Sequence, residues 1–458
     1  MQETPFPYQI EGARWLATMP QALLADEMGL GKSAQAVMAC DLIGAENILI
    51  VSPAAVRINW SREFDRFSDV ERPCVVIKTG KDKPIRGVNI VSYDLIASNE
   101  KLRNELKARE WDVLVLDEAH YLKERTTKRT KACYGFNKHP GLAGSAKHVW
   151  RLTGTPMPNN ASELYTQMKS LGAVNMPYWD FVFQYCEGFQ ADYGYKITGV
   201  KNVEDLKRKL YPFMLRRKKD QVMTQLPPIM FQNITVEKTE VEMDPYFYEN
   251  WQSIGIPKFI ENLKGIEQTV RDNMKAIQQH SHGSFEHAAK MLEGMSTPTS
   301  TLRRYIGLSK VKPVIDIIEE ELATDQIDKI VLFAMHKQVI DEARDRLKKF
   351  GAVTLYGGTP ADKRQRHIDD FQNHPHPRVF IGQIVAAGTG ITLTRASEVA
   401  FIEASWVPAE NAQACMRCHR ITQTRPVRVR FFTAAGTVDE DVMRVVVNKT
   451  RNIAKIFD

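Results

Sequence analysis

One hydrophobic rhythm runs through two separate stretches of this chain. A short, almost uninterrupted apolar run rich in β-branched residues is followed by a helical segment, then by another such run. In the first stretch the runs are Ala22–Ala25, Ile48–Ser52, Val75–Lys78, Val88–Ser92, Val113–Leu116 and Val149–Leu152. Runs without polar alternation suit strands covered on both faces, as in a parallel sheet flanked by helices. Between the first two, Ser33–Gly44 sets Ala36, Cys40 and Ile43 on one helical face, and Gly44 is suited to end the helix. The second stretch offers Ile330–Ala334, Ala352–Leu355, Val379–Gly382, Val399–Ile402 and Val427–Phe432. Residues between the stretches are richer in Met, Tyr, Lys and Gln and show few β-runs. The predicted fold is α/β, with two doubly wound parallel-sheet lobes at 1–156 and 326–435. A helical insertion is expected at 157–325 and a closing helix at 436–458, packed back on the lobes.

Composition narrows the class without choosing a function. A chain of 458 residues is too long for one hydrophobic core. With 43% hydrophobic and 26% charged residues it reads as globular. No apolar run approaches the roughly 18–20 residues that cross a bilayer, and the first residues lack signal-peptide features. An intracellular protein without a membrane partner is therefore expected. Six cysteines do not make a disulfide framework. Cys415, Cys418 and His419 spell a haem-attachment triplet, which would require an exported apoprotein. The net charge of +7 is compatible with nucleic acid but leaves the partner open.

Chemistry begins directly after the first run. Asp26-Glu27-Met28-Gly29-Leu30-Gly31-Lys32-Ser33 leads into a helix. Gly29 and Gly31 would let the backbone wrap phosphates at the positive helix end. Lys32 would reach the β- and γ-phosphates, and Ser33 would sit on Mg²⁺. The general pattern wants glycine where Asp26 stands, so this loop alone is no more than suggestive. A second piece lies at the end of the run Trp111–Leu116, which presents Asp117 and Glu118. Asp117 could hold Mg²⁺ and Glu118 could deprotonate an attacking water. Alone, the two acids read more readily as a cap on the next helix. In one βαβ frame the loop and the acid pair point to hydrolysis of a nucleotide.

With those motifs in place, the sequence resembles the Swi/Snf-type ATPases of helicase superfamily two across almost its whole length and in their motif order. Gln9, in Phe6-Pro7-Tyr8-Gln9, is similar to the adenine-reading residue. The family's phosphate loop commonly carries Asp where Asp26 stands, so Asp26 joins the nucleotide set by resemblance. Leu152-Thr153-Gly154-Thr155-Pro156 looks like the motif that couples the two sites. The glycine-rich stretch with Gly388, Thr389 and Gly390 resembles the one that touches both ATP and DNA. Gln413, Arg417, His419, Arg420 and Gln423 resemble the arginine-finger motif, a frame that leaves Cys415 and Cys418 in variable positions and removes the case for haem. Three positions depart from the pattern: Met416 for an acid, Thr422 for glycine, and Val407 within Trp-Asn-Pro.

The resemblance implies a DNA-dependent ATPase with recA-like lobes that uses ATP and Mg²⁺. Lys32, Asp117, Glu118, Gln413, Arg417 and Arg420 would be its catalytic residues, with the arginines meeting ATP on lobe closure. Ser52, Asn59, Thr359, Thr389 and Trp406 would contact DNA, by resemblance. The basic run Arg216-Arg217-Lys218-Lys219 is similar to the segment returning from the insertion, where it would brace the lobes or the DNA. The expected activity is translocation on duplex DNA by a monomer, tolerant of sequence, with remodelling of forks or protein–DNA complexes as a further role. A strand-separating helicase and an ATP-latched DNA-binding scaffold are the rivals, and a pathway or protein partner is not written in the sequence.

Overall fold

A computed structural model of the 458-residue chain describes residues 3–136, 139–157, 160–191, 194–223, 226–239, 296–387, 391–405, 407–420, 422–440 and 443. By its internal contacts the chain divides into two compact units, one built from 1–186 with 200–226, the other from 187–199 with 227–454.

The first unit contains seven parallel strands. In chain order they are β1 (Gln21–Leu24), β2 (Ile48–Ser52), β3 (Cys74–Val76), β4 (Val88–Ser92), β5 (Trp111–Asp117), β6 (Ala146–Leu152) and β7 (Met214–Leu215). Across the sheet they run β7-β1-β6-β5-β2-β4-β3. Every residue of β2 and β4 is buried, as predicted for strands roofed on both faces. One face packs under the helices Pro7–Thr18, Lys32–Leu42 and Arg57–Phe67, with Trp60, Phe64 and Trp150 in the core. The opposite face packs Tyr93, Leu102, Trp111 and Leu122.

The second unit carries a six-stranded parallel sheet. Its strands are β8 (Ile229–Val236), β9 (Ile330–Ala334), β10 (Ala352–Leu355), β11 (Val379–Gln383), β12 (Glu398–Phe401) and β13 (Val427–Ala434), in the order β8-β13-β12-β9-β11-β10. The long helix Ser296–Ala323 puts Val311, Ile315, Ile318 and Leu322 on one face of this sheet. Phe371, Phe380, Phe401 and Phe431 fill the other, with Phe401 stacked on Phe431 at 4.5 Å between ring centroids.

Every run expected to be a strand is one, within a few residues at its ends. The insertion departs from expectation. Besides the helices Leu164–Leu171, Tyr178–Tyr185 and Val203–Leu210 it supplies β7, β8 and a two-stranded ribbon of Cys186–Ala191 with Gly194–Val200. Strand β7 has just two residues, too few to show a period. Strand β8 is an edge strand with Met230–Asn233 exposed, so it lacks a buried-strand signature. Residues 240–295 of the insertion lie outside the described residues, as do 441–442 and 444–458 of the expected closing helix. Among the described residues no helix is long and apolar enough to cross a membrane.

Candidate functional site

Strand order assembles the site. Strand β6 lies between β1 and β5, so three parallel strands end side by side. Leu152 at the end of β6 pairs with Leu24 of β1 and with Asp117 of β5. The segments leaving these strands therefore meet at one sheet edge: the loop from Ala25 to Ser33, the Thr153-Gly154-Thr155 turn, and the acids Asp117 and Glu118. The carboxyl ends of parallel strands are where α/β sheets bind ligands.

The loop turns on two glycines with positive φ. Gly29 and Gly31 adopt φ of 89° and 69°, and Gly31 is the left-handed N-cap of the eleven-residue helix that starts at Lys32. A side chain at Gly31 would meet Gln9 Nε2 at 2.2 Å, and one at Gly154 would meet Met28 Cγ at 2.4 Å. The Thr153–Thr155 turn is thus packed on the loop. Lys32 Nζ donates to the Asp26 carbonyl at 2.8 Å and to the Glu27 carbonyl at 3.4 Å. Desolvation pulls the Lys32 ammonium below its ordinary range, opposed by Glu118, Asp26 and Asp117.

The acid pair is held from several sides. Asp117 Oδ2 accepts the Trp60 indole N–H at 2.8 Å, and Oδ1 accepts the Glu118 N–H at 2.9 Å. The Tyr93 hydroxyl donates to the Asp117 carbonyl at 2.8 Å. Burial first, then the adjacent Glu118 charge, pushes the Asp117 carboxyl up to about 7. Glu118 has φ 50°, a left-handed conformation that is strained in a residue with a Cβ. Its carboxylate lies 3.3 Å from His120 Nδ1, which lies 3.1 Å from Thr153 Oγ1, which accepts the Thr155 N–H at 3.1 Å. Glu118 makes no side-chain cap to the single turn Ala119–Leu122, so capping is not what the pair does. Two carboxylates crowded enough to raise a pKa, beside a helix N-terminus bearing Lys32 and the half-buried Ser33, are a fit for a divalent cation with phosphates.

Several expected contacts require correction. Asp26 does not face phosphate: it is fully buried, and its carboxylate is taken up by Arg217 and Gln35. Ser52 is also fully buried, with its hydroxyl on the Pro53 carbonyl at 3.3 Å, so it cannot reach a DNA phosphate. Asn59 is exposed, whereas its neighbour Trp60 turns inward to Asp117. Gln9 is buried, accepting from the Phe6 N–H at 2.9 Å and donating to the Leu30 carbonyl at 3.4 Å, which ties the first helix to the loop.

In the second unit, Thr359 Oγ1 accepts the Tyr356 N–H at 2.9 Å and the residue is half-buried. Gln413 is buried, and its carbonyl accepts from Arg417 Nε at 3.0 Å. Arg417 is only 4% exposed, whereas Arg420 is half-buried and donates to Thr392 Oγ1 at 2.9 Å. Cys415 and Cys418 are buried in the core, out of reach of any haem. Gln423 donates to the Thr394, Ala396 and Cys418 carbonyls, a structural brace. Gly388, Thr389, Gly390 and Trp406 lie outside the described residues.

A glycine loop ending in Lys32-Ser33 and an acid pair, on strand ends separated only by β6 in a chain of two parallel-sheet units, are the marks of a P-loop ATPase of the helicase type. The chain belongs to the SNF2-related family: the SNF2-related domain matches residues 8–304, and the helicase conserved C-terminal domain matches 310–422. It is 30% identical over 454 residues to the Xenopus tropicalis SWI/SNF-related matrix-associated actin-dependent regulator of chromatin subfamily A-like protein 1, covering 97% of this chain and 44% of the relative. It is 28% identical over 465 residues to the Mus musculus DNA annealing helicase and endonuclease ZRANB3, covering 98% and 40%. The chain thus spans less than half the length of these relatives. Among solved structures it is similar to the Sulfolobus solfataricus SWI2/SNF2 ATPase core in complex with dsDNA, at 24% identity and a TM-score of 0.44, covering 100% of this chain and 93% of that one.

Proposed function

We propose that this protein is an ATP-driven motor that couples hydrolysis to translocation on duplex DNA. The observation that carries the reading is the convergence of Lys32, the acid pair and the Thr153–Thr155 turn at three adjacent strand ends. In this reading Gly29, Gly31, Lys32 and Ser33 hold the nucleotide phosphates, and Gln9 sits beside the base. Glu118 takes the proton of the attacking water, its carboxylate aimed by the strained backbone. Ser33 and Asp117 would hold a magnesium ion, which would supply positive charge against the phosphates. Lys32 neutralises charge spreading over the transferred group. Of the two finger candidates, Arg420 is half-buried and Arg417 buried, so Arg420 is the one with side-chain surface open to a ligand.

The functional segments are proposed as the lobes 1–156 and 326–435, the intervening 157–325 and the terminal 436–458. Binding is proposed to run mainly through phosphates, with Asn59, Thr359, Thr389 and Trp406 as contacts, tolerant of sequence and weakened by salt. Fork remodelling by strand annealing is the second reading, favoured by the relative named as a DNA annealing helicase.

The test is the steady-state ATPase rate with no nucleic acid, single strands, duplex, forks and RNA. Strong stimulation by duplex, abolished in Lys32→Ala and Glu118→Gln, is expected. Preference for forks would favour remodelling. A rate indifferent to every nucleic acid would refute the motor.

A further inference from the structure

The Asp residue that replaces the usual first glycine of the phosphate loop has a partner far along the chain. Arg217 lies 191 residues beyond Asp26, and its Nε and main-chain N–H donate to Asp26 Oδ1 at 3.1 and 3.0 Å. Its Nη2 donates to Asp26 Oδ2 at 2.5 Å and to Gln35 Oε1 at 2.8 Å. Its Nη1 donates to the Tyr8 carbonyl at 2.5 Å, and the guanidinium lies 5.4 Å from the Tyr8 ring. Main chain completes the seam: Glu27 N donates to the Arg217 carbonyl at 2.9 Å, and Lys219 N to the Glu27 carboxylate at 2.8 Å. One guanidinium thereby joins the first helix, the phosphate loop, the helix behind it and the segment returning from the insertion. The bonds to Asp26 and Gln35 are withdrawn from the surface, since both residues are fully buried. A planar fork with several donors meets this geometry, and a lysine would not.

We propose that Arg217 is a positioning residue of the nucleotide site, a latch that holds the phosphate loop in its binding shape by clamping Asp26. The inference rests on the reading of residues 26–33 as the phosphate loop. Removing Arg217 frees the loop without touching any group that meets the nucleotide.

The experiment is a titration of the full chain with a fluorescent ATP analogue and magnesium, with the thermal midpoint measured in parallel. Lys32→Ala is expected to abolish binding, and if it binds as the wild type does, the loop reading fails and the latch with it. Arg217→Met is expected to weaken binding by about tenfold or more, a shift of about 1.4 kcal/mol per decade, while Arg217→Lys recovers only part. The double variant Asp26→Asn with Arg217→Met leaves no buried unpaired charge, so it decides the matter where the single variant does not fold. A double variant that melts like the wild type yet binds weakly supports the latch. A loss of thermal midpoint with wild-type affinity, in Arg217→Met or in the double, overturns it and reduces the pair to a structural bond.

Discussion

Replacing Gly12 by alanine separates two arguments that predict opposite signs. Gly12 lies inside the helix Pro7–Thr18, and helix propensity alone favours Ala over Gly there by about 1 kcal/mol. The structure argues otherwise. A Cβ at Gly12 would stand 1.8 Å from Gln35 Oε1 and 2.6 Å from Arg217 Nη2. Ordinary contact begins near 3.4 Å, so Gln35 would have to retreat by about 1.6 Å. Gln35 is fully buried, and its Nε2 bonds Asp26 at 3.0 Å while its Oε1 accepts from Arg217 at 2.8 Å. Retreat breaks both bonds, each to a charged group and worth roughly 1.5–3 kcal/mol. Subtracting the propensity gain leaves a net loss of about 2–5 kcal/mol. At about 3 kcal/mol, a unit of this size melts roughly 6–12 °C lower. Scanning calorimetry of wild type and Gly12→Ala, with the fluorescent-nucleotide titration alongside, reads both consequences: a lower midpoint and weaker binding. A midpoint raised by a few degrees would show that propensity governs this helix and that the packing around Gln35 is loose, refuting the argument.

The acid pair and the arginines give further outcomes. Trp60→Phe keeps an aromatic ring, smaller than indole, and removes the donor to Asp117 Oδ2. It should raise the half-saturating Mg²⁺ concentration by about tenfold and leave metal-free nucleotide binding unchanged; an unchanged Mg²⁺ titration would refute the role. Because the Asp117 carboxyl is raised to about 7, it is charged only on the alkaline side of that value. Half-saturating Mg²⁺ should therefore climb by about tenfold per pH unit below 7, a slope lost in Asp117→Asn. In metal-free protein the sign for folding is the reverse: the stabilisation is full below the unfolded value of 3.8 and is lost as pH rises through about 7. Arg420→Ala should lower turnover by about 10³–10⁵ at an unchanged thermal midpoint, whereas Arg417→Ala, deleting a buried side chain, should lower the midpoint as well. Wild-type turnover in Arg420→Ala would remove it from the site.

The strand runs are legible because an all-parallel sheet buries both faces of its strands, and that leaves an unbroken apolar mark. The phosphate loop and acid pair are legible for a local reason too: each is a short segment whose spacing is set by a single strand-to-helix turn. Long-range pairing is what a linear reading misses. Nothing in Arg216-Arg217-Lys218-Lys219 distinguishes a solvated basic run from one holding a buried carboxylate 191 residues away. Resemblance assigns Asp26 to the nucleotide, yet its carboxylate turns back into the protein. Ser52 misleads similarly, since a strand end presents some residues to the cleft and turns others under it. Trp60 stands beside Asn59 in one motif, but adjacent helical positions do not share a face, and only Asn59 looks outward.

The pairing of β7 with β1 also bears on how the protein is made. Leu23 has its neighbour at Met214, and Asp26 its counter-charge at Arg217. At roughly 5–20 residues per second a ribosome needs about 10–40 s to span that interval. Throughout it an acid meant for burial stays unmatched, and once β6 has been made the nascent chain carries a sheet whose β1 side still lacks its neighbour. A chaperone that shields strand edges would find its client in that window, and a chain cut short before Arg217 would hold every residue of the loop without the guanidinium that pairs with Asp26.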